Sequence, residues 1–297
     1  MMDSVSYRTL VAAYLALCKP KVVALMLVTS VIGMFLANPA LPGLPFLGFI
    51  LLTNLGIALC AASAATVNHI VDRKIDALMR RTHHRPLVSG KIKPVYAMIF
   101  AGVLALLGSL ILFFWVNALT AWLTLASLVG YAVFYTAFLK RLTPQNIVIG
   151  GLAGAMPPLL GWVAVTNAID YQALLLVLII FVWTPPHFWA LALYKKDEYA
   201  KAEIPMLPVT HGEQITRLFI LLYVILLILV TCLPFLAGMS GMTYLLLVSL
   251  LNLAFLWQAI RIYVRKDRLS AIKAFQYSIV YLFLLFFALL FDHYYLF

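Results

Sequence analysis

The sequence is poor in charged residues. Asp, Glu, Lys and Arg make up 10% of its 297 residues, and hydrophobic residues make up 65%. In soluble domains about 25% of the residues are charged and about 45–50% are apolar. Residues 22–71 and 94–139 carry no charged side chain at all. Because a helix needs about 20 apolar residues to cross a membrane, this composition excludes an ordinary soluble domain and predicts an all-α membrane protein.

Cysteine is also scarce. The three cysteines Cys18, Cys60 and Cys232 are far apart and form no CxxC pair. This spacing indicates neither a disulfide framework nor a zinc site. We expect the three residues to pack as small side chains in or near the apolar spans.

Polar and turn-forming residues divide the long apolar runs, and no alternating pattern of a β-barrel is present. We predict one domain over residues 1–297, built as a bundle of nine transmembrane helices. The expected spans are about 22–38, 44–70, 94–116, 120–139, 145–165, 171–194, 217–237, 242–262 and 274–295.

One side of the predicted bundle lacks cations. All 21 Lys and Arg residues fall on the same side in this division of the chain, and the other side receives only Asp170 and Asp292 as charged residues. Because cytoplasmic loops hold the excess of Lys and Arg, we predict a cytoplasmic N-terminus and an external C-terminus. The net charge of +11 then favours the lipid bilayer and an anionic substrate as partners, and not nucleic acid.

The first candidate site is a polar triplet at the inner end of the second span. Asn68, Asp72 and Asp76 are spaced four residues apart, so they share one face of a helix that continues past the span. Carboxylates near hydrocarbon are costly unless they are paired or bind a metal. Their oxygen atoms suit Mg²⁺, which one or two carboxylates and substrate phosphates usually hold. Ion pairs with neighbouring Arg and Lys residues would also explain the triplet.

A second acidic cluster follows the sixth span, in the same inner layer. It consists of Asp197 and Glu198, flanked by Lys195 and Lys196. Two acidic clusters ringed by cations fit a magnesium diphosphate, because the carboxylates hold the metal while the cations neutralise the phosphate oxygens. Which of Asp197 and Glu198 is the metal ligand stays open, and a simple ion-pair network is the alternative.

Several motifs together resemble one family. The sequence strings that carry the resemblance include, in chain order, Asn68-x3-Asp72-x3-Asp76, Met79-Arg80-Arg81-Thr82, Arg85-Pro86-Leu87, Tyr135-Thr136, Leu139-Lys140-Arg141, Trp183-Thr184-Pro185-Pro186-His187-Phe188-Trp189-Ala190-Leu191 and Pro205-Met206-Leu207-Pro208-Val209. From about Lys19 to the C-terminus the chain resembles the UbiA-type intramembrane prenyltransferases, and within them the branch that farnesylates heme. His69 stands where many members of the wider superfamily have Asp, which favours this branch. Glu198 replaces a usual Asp, and Glu203 replaces a common Gly.

The resemblance implies transfer of a farnesyl group from farnesyl diphosphate to a vinyl group of heme b (protoheme IX), with addition of water, to give heme O. It implies Mg²⁺ as cofactor, and Asn68, Asp72, Asp76, Asp197 and Glu198 as catalytic metal ligands. The residues expected to bind the diphosphate are Arg73, Lys74, Arg81, Arg85, Lys140, Lys195 and Lys196. It further implies a bacterial inner membrane protein whose active site faces the cytoplasm, with heme A synthase or terminal oxidase assembly as possible partners. The first 20 residues show neither the pattern of a signal peptide nor that of a transit segment, so we expect the chain to insert by its own first span.

Two histidines are candidates for heme binding. His187 follows Pro185 and Pro186, which we expect to interrupt the sixth span, and His69 lies within the acidic triplet. Each could instead be a hydrogen-bonded residue of the protein interior. Two other functions compete with heme farnesylation: prenylation of an aromatic quinone precursor, and ion-coupled transport by buried acids and broken helices.

Overall fold

The computed structural model describes residues 7–38, 43–79, 82–139 and 142–295. These residues form helices and contain no β-strand, which confirms the predicted all-α class. The N-terminal half comprises α1 (Tyr7–Leu17), α2 (Pro20–Leu36), α3 (Leu44–Val71), α4 (Arg73–Asp76), α5 (Pro94–Trp115), α6 (Ala118–Val129) and a π-helical segment (Gly130–Leu139). The C-terminal half comprises α7 (Asn146–Ala155), α8 (Pro157–Thr166), α9 (Tyr171–Tyr194), α10 (Lys196–Lys201), α11 (Leu207–Thr210), α12 (Gly212–Leu236), α13 (Met242–Arg265) and α14 (Arg268–Tyr295).

Eight of the described helical stretches are long and apolar enough to cross a membrane, and the pair α1 and α2, bent by 48°, is a ninth candidate. The bend lies at Lys19, whose φ of 49° is left-handed, and Pro20 begins α2. Proline suits the first turn of a helix because its missing N–H would have no partner there. Large apolar side chains such as Leu51, Phe114 and Leu250 point outward, as lipid-facing residues do.

The two halves are joined by a close contact between α2 and α8. A Cβ atom at Gly161 would lie 2.0 Å from the carbonyl oxygen of Ser30, and one at Gly33 would lie 2.2 Å from that of Pro158. Any other residue at either glycine would separate the two helices. Small residues at such crossings are typical of membrane helix packing, where close van der Waals contact drives association.

The paired prolines do not interrupt the sixth span. Helix α9 runs unbroken from Tyr171–Tyr194 with Pro185 and Pro186 inside it, so the expected interruption is wrong. Prolines remove two backbone N–H donors and leave carbonyls one turn earlier without helical partners, while neighbouring helices keep the segment ordered. The carbonyls affected are those of Phe181 and Val182, and one position earlier the Thr184 hydroxyl donates to the carbonyl of Ile180 at 2.7 Å.

Buried polar contacts tie together the last three helices. The Tyr281 hydroxyl donates to Oδ1 of Asn252 at 2.7 Å, and Nδ2 of Asn252 donates to Oγ1 of Thr231 at 3.0 Å. Asp292 accepts hydrogen bonds from the backbone N–H groups of Gly241 and Tyr244 at the start of α13. These bonds join α12, α13 and α14 into one unit that packs against α9.

Candidate active site

The predicted triplet lies buried at the inner end of α3. Asn68, Asp72 and Asp76 are 4%, 2% and 4% exposed. Helix α3 ends at Val71 and α4 begins at Arg73, yet the N–H of Asp76 donates to the carbonyl of Asp72 at 2.8 Å, so the helical course continues. Nδ2 of Asn68 donates to Oδ2 of Asp72 at 2.9 Å. The triplet therefore forms one enclosed polar face, as the spacing predicts.

A lysine from the bend between α1 and α2 reaches this face. Nζ of Lys19 donates to Oδ1 of Asn68 at 2.5 Å. Sequence reasoning did not assign Lys19 to the site, because it is 49 positions from Asn68 in the chain. The one local signal in the sequence was that Lys19 directly precedes Pro20, which begins α2. The structure adds Lys19 to the candidate site.

The third residue of the triplet is held by the loop that follows it. Nη1 of Arg85 lies 2.6 Å from Oδ2 of Asp76, and the Thr82 hydroxyl donates to the Asp76 carbonyl at 3.0 Å. Leu87 from the same loop packs in a small apolar cluster with Leu17 of α1. Arg85, predicted to bind diphosphate, therefore lies beside the acidic face and is paired with Asp76 in the structure.

The π-helical segment forms a second wall. Oγ1 of Thr136 lies 3.4 Å from Nδ2 of Asn68, and Tyr131 and Tyr135 stack with their ring centroids 5.3 Å apart. Both tyrosines lie close enough to Asp72 to interact electrostatically with it. Wide π-helical turns occur frequently at functional sites. Tyr135 and Thr136 belong to a string that carries the family resemblance, but sequence reasoning did not assign these residues, or Tyr131, to the site.

The two residues of the second acidic cluster lie in different environments. The side chain of Asp197 is 64% exposed and its Oδ2 lies 2.8 Å from Nη2 of Arg268. Oε1 of Glu198 accepts from Nζ of Lys195 at 3.0 Å, whereas its Oε2 is enclosed and has no hydrogen-bond partner in the described part of the chain. Glu198 is therefore the better candidate for a metal ligand, because only it presents an enclosed carboxylate oxygen.

The other predicted cations differ in their surroundings where the structure describes them. Arg73 and Lys74 are exposed, and Lys196 pairs with Glu213, with 3.1 Å between Nζ and Oε1. Arg81 and Lys140 lie outside the described residues.

A cleft of about 270 Å³ separates the two inner loops. Lys74, Ile75 and Leu78 line one side, and the other side is lined by residues 202–205. The loop that follows the first acidic cluster and the loop that follows the second one therefore face each other across this cleft. Glu203 in this cleft has a left-handed backbone with φ of 52°, which explains why glycine suits the position.

The two candidate histidines differ in their surroundings. His69 is 4% exposed, and neither of its ring nitrogens has a hydrogen-bond partner among the described residues. His187 lies between α9 and α14, where its Nδ1 is 2.6 Å from Oγ of Ser278. The rings of Trp183 and Phe275 stack on it at centroid distances of 4.3 and 4.6 Å.

The donor set fits a divalent cation held jointly with a substrate. Asn68, Asp72 and Glu198 supply hard oxygen atoms, which Mg²⁺ prefers. In the described ranges no three His, Cys, Asp or Glu side chains lie close enough to hold a metal by themselves. Mg²⁺ usually keeps only one or two carboxylates and takes phosphate oxygens as further ligands. A metal at either cluster would therefore need oxygen atoms of a bound substrate to complete its coordination.

Comparisons with known proteins point in the same direction. The model of the UbiA prenyltransferase family matches residues 26–290. Protoheme IX farnesyltransferase 1 of Pseudomonas putida (strain W619) is 63% identical over 281 residues, which cover 95% of this chain and 94% of the relative. Protoheme IX farnesyltransferase of Marinobacter nauticus is 62% identical and covers 95% and 92% of the two chains.

Solved structures share the fold. A digeranylgeranylglyceryl phosphate synthase superimposes with a TM-score of 0.80 at 20% identity, over 96% of this chain and 98% of the other. A UbiA homolog from Archaeoglobus fulgidus bound to DMAPP and Mg²⁺ superimposes with a TM-score of 0.63 at 18% identity, over 93% and 98%. At these identities the likeness establishes the architecture alone.

Proposed function

Since this chain belongs to the UbiA prenyltransferase family, we propose that it transfers the farnesyl group of farnesyl diphosphate to a vinyl group of heme b, giving heme O and diphosphate. Protoheme IX farnesyltransferases more than 60% identical over nearly the whole chain support this acceptor and this donor. The observation that carries the chemistry is the buried face of Asn68, Asp72 and Asp76 beside the cation of Lys19.

The acidic residues hold the donor by way of a metal. Asn68 and Asp72, with Asp76 beside them, would hold one Mg²⁺, and Glu198, with Asp197 beside it, would hold another. Bound Mg²⁺ supplies positive charge to the diphosphate oxygens as the C1–O bond of the donor breaks. The UbiA homolog from Archaeoglobus fulgidus, bound to both Mg²⁺ and a prenyl diphosphate, supports this assignment.

The cations hold the leaving group from the other side. Lys19 and Arg85 lie at the acidic face, and Lys195 lies beside Glu198. Arg73 and Lys74 are exposed next to the first acidic cluster and Lys196 is next to Lys195, and Arg81 and Lys140 complete the predicted set. Positive charges aimed at the departing diphosphate stabilise the transition state, where its negative charge grows.

Bond changes then follow in a fixed order. The allylic cation left by the departing diphosphate bonds to the terminal vinyl carbon of heme b. The positive charge moves to the vinyl carbon next to the porphyrin ring, where a water molecule adds and then loses a proton to solvent. Apolar helices around the site delay water until this last step. The product carries a hydroxyethylfarnesyl group.

Membrane placement follows from charge. If α2 forms the first of nine spans, all 21 Lys and Arg residues fall on one side, which we assign as cytoplasmic because cytoplasmic loops hold the excess of Lys and Arg. The active site then faces the cytoplasm of a bacterial inner membrane, and heme O is released towards a heme A synthase or a terminal oxidase under assembly.

A matched acceptor experiment tests the proposal. The purified protein in lipid nanodiscs is incubated with farnesyl diphosphate, Mg²⁺ and either heme b or an aromatic quinone precursor, and the products are weighed by mass spectrometry. We expect one farnesyl group and one water on heme b and no farnesylated aromatic. Farnesylation of the aromatic alone would favour the quinone pathway. Unchanged masses of both acceptors would favour a non-enzymatic role such as ion-coupled transport.

A further inference from the structure

The contacts of His187 define which of its nitrogens carries the proton. Oγ of Ser278 lies 2.7 Å from the carbonyl oxygen of Phe275 and 2.6 Å from Nδ1 of His187. A serine hydroxyl has one proton to donate. Two oxygens 2.7 Å apart with no proton between them would repel each other, so the hydroxyl donates to Phe275. Ser278 must then accept its second bond from an N–H at Nδ1 of His187.

The other ring nitrogen of His187, Nε2, therefore keeps its lone pair. In a neutral imidazole only one nitrogen is protonated, so Nε2 of His187 is an acceptor. Within the described ranges Nε2 has no hydrogen-bond partner, and His187 as a whole is 7% exposed. Both nitrogens of His69, in contrast, are enclosed. Of the two candidate histidines, only His187 has one ring nitrogen held by a hydrogen bond, which orients the ring and leaves Nε2 to take a ligand.

Aromatic contacts fix the direction of that lone pair. Trp183 and Phe275 stack on the two sides of the His187 ring, with interplanar angles of 21° and 28°. Nε1 of Trp183 donates to the carbonyl of Ser278 at 2.8 Å, which binds the same turn of α14 a second time. Metal-binding histidines characteristically donate their second ring N–H to an oxygen that orients the ring.

We propose that Nε2 of His187 binds the iron of the heme substrate and that Ser278 is the positioning residue that sets its tautomer. This inference rests on the proposed function, because that function supplies heme as the ligand. His187 precedes Lys195 by eight residues along α9, or about 12 Å of helix. Heme carries its vinyl groups and its propionates on opposite edges, so iron at His187 allows the vinyl edge to face the inner rim, where the diphosphate would leave.

Absorption spectroscopy without farnesyl diphosphate tests the assignment. Heme b is titrated into the protein in lipid nanodiscs, and the spectra of the oxidised and reduced forms are recorded. We expect the wild-type spectrum to be that of imidazole-ligated heme and His187→Gln to lose this signature. Gln keeps a polar group that can bond to Ser278 but is a poor iron ligand. His84→Ala, at an exposed loop position, is the matched histidine control.

Variants of Ser278 distinguish a role in orienting the His187 ring from a role in packing alone. Ser278→Ala removes the acceptor for Nδ1, and we expect heme affinity to fall about 10- to 100-fold, as for other residues that orient metal ligands. Ser278→Thr keeps the hydroxyl and should restore the ligated spectrum. Helical circular dichroism and a single gel-filtration peak establish that each variant is folded.

Two results would overturn the inference. One is an imidazole-ligated spectrum that persists in folded His187→Gln, and the other is a wild-type spectrum without imidazole ligation. If wild-type protein still farnesylates heme b in either case, the proposed function stands and only the ligand assignment fails. A wild type that binds heme through His187 but forms no farnesylated product would instead contradict the proposed function.

Discussion

Nζ of Lys19 and Oδ1 of Asn68 lie 2.5 Å apart. The contact joins the bend between α1 and α2 to the inner end of α3, and it places a cation on the first residue of the buried acidic face. The left-handed backbone of Lys19, with φ of 49°, turns the chain so that its side chain can reach the site.

Lys19→Met retains the length of the side chain but removes its charge. Because the ammonium lies beside the predicted diphosphate site, we expect kcat/KM for farnesyl diphosphate to fall roughly 100-fold. Steady-state kinetics measure the effect. Lys21→Met, two residues away on the exposed side of α2, is the matched control and should retain activity. Equal losses in the two variants would argue against a role for Lys19 at the site.

The two acids of the second cluster should differ in importance. Glu198→Gln removes the enclosed carboxylate and should raise the Mg²⁺ concentration for half-maximal rate by about tenfold or more. Asp197→Asn removes an exposed carboxylate paired with Arg268 and should have little effect, because exposed ion pairs contribute little. Rates measured over a Mg²⁺ titration compare the variants, and the reverse order would assign the ligand to Asp197.

Close packing of α2 on α8 should depend on Gly161. In Gly161→Ala the new methyl group would meet the Ser30 carbonyl at 2.0 Å, and we expect a loss of about 1–3 kcal/mol of stability from overpacking. Thermal unfolding in detergent measures it as a lower Tm. Gly102→Ala, where a Cβ meets nothing within 4 Å, is the control and should not lower Tm. A wild-type Tm for Gly161→Ala would show that the helices can separate freely.

Glu203 should be replaceable by glycine. Its φ of 52° costs roughly 1 kcal/mol for a residue with a Cβ atom, so Glu203→Gly should raise Tm slightly. Glu203→Ala removes the same carboxylate but keeps the Cβ, and it should show no such gain. Comparison of the two variants isolates the backbone effect, and an equal rise in both would attribute it to the lost charge.

The parts of the fold and site that depend on local pattern could be predicted from the sequence. Apolar runs of sufficient length identify membrane helices, and the four-residue spacing of Asn68, Asp72 and Asp76 placed them correctly on one buried face. The left-handed conformation at Glu203 agrees with its departure from a common glycine.

The remainder depends on tertiary contacts. Lys19 approaches Asn68 only because α1 and α2 meet at a sharp bend, and no local spacing encodes that approach. Pro185 and Pro186 lie inside an unbroken helix because packing of α9 outweighs the lost backbone bonds. The side chains of Asp197 and Glu198 differ in their exposure to solvent. The residues next to them in the sequence do not predict this difference.

The farnesylation rate of Asp72→Asn tests the central claim most directly. The variant is nearly isosteric and removes one carboxylate from the buried face, while Asp267→Asn, at an exposed position before α14, is its matched control. With heme b, farnesyl diphosphate and saturating Mg²⁺, we predict that Asp72→Asn forms product roughly 100-fold more slowly than wild type and that Asp267→Asn retains the wild-type rate. Farnesyl transfer by folded Asp72→Asn at the wild-type rate would contradict the account.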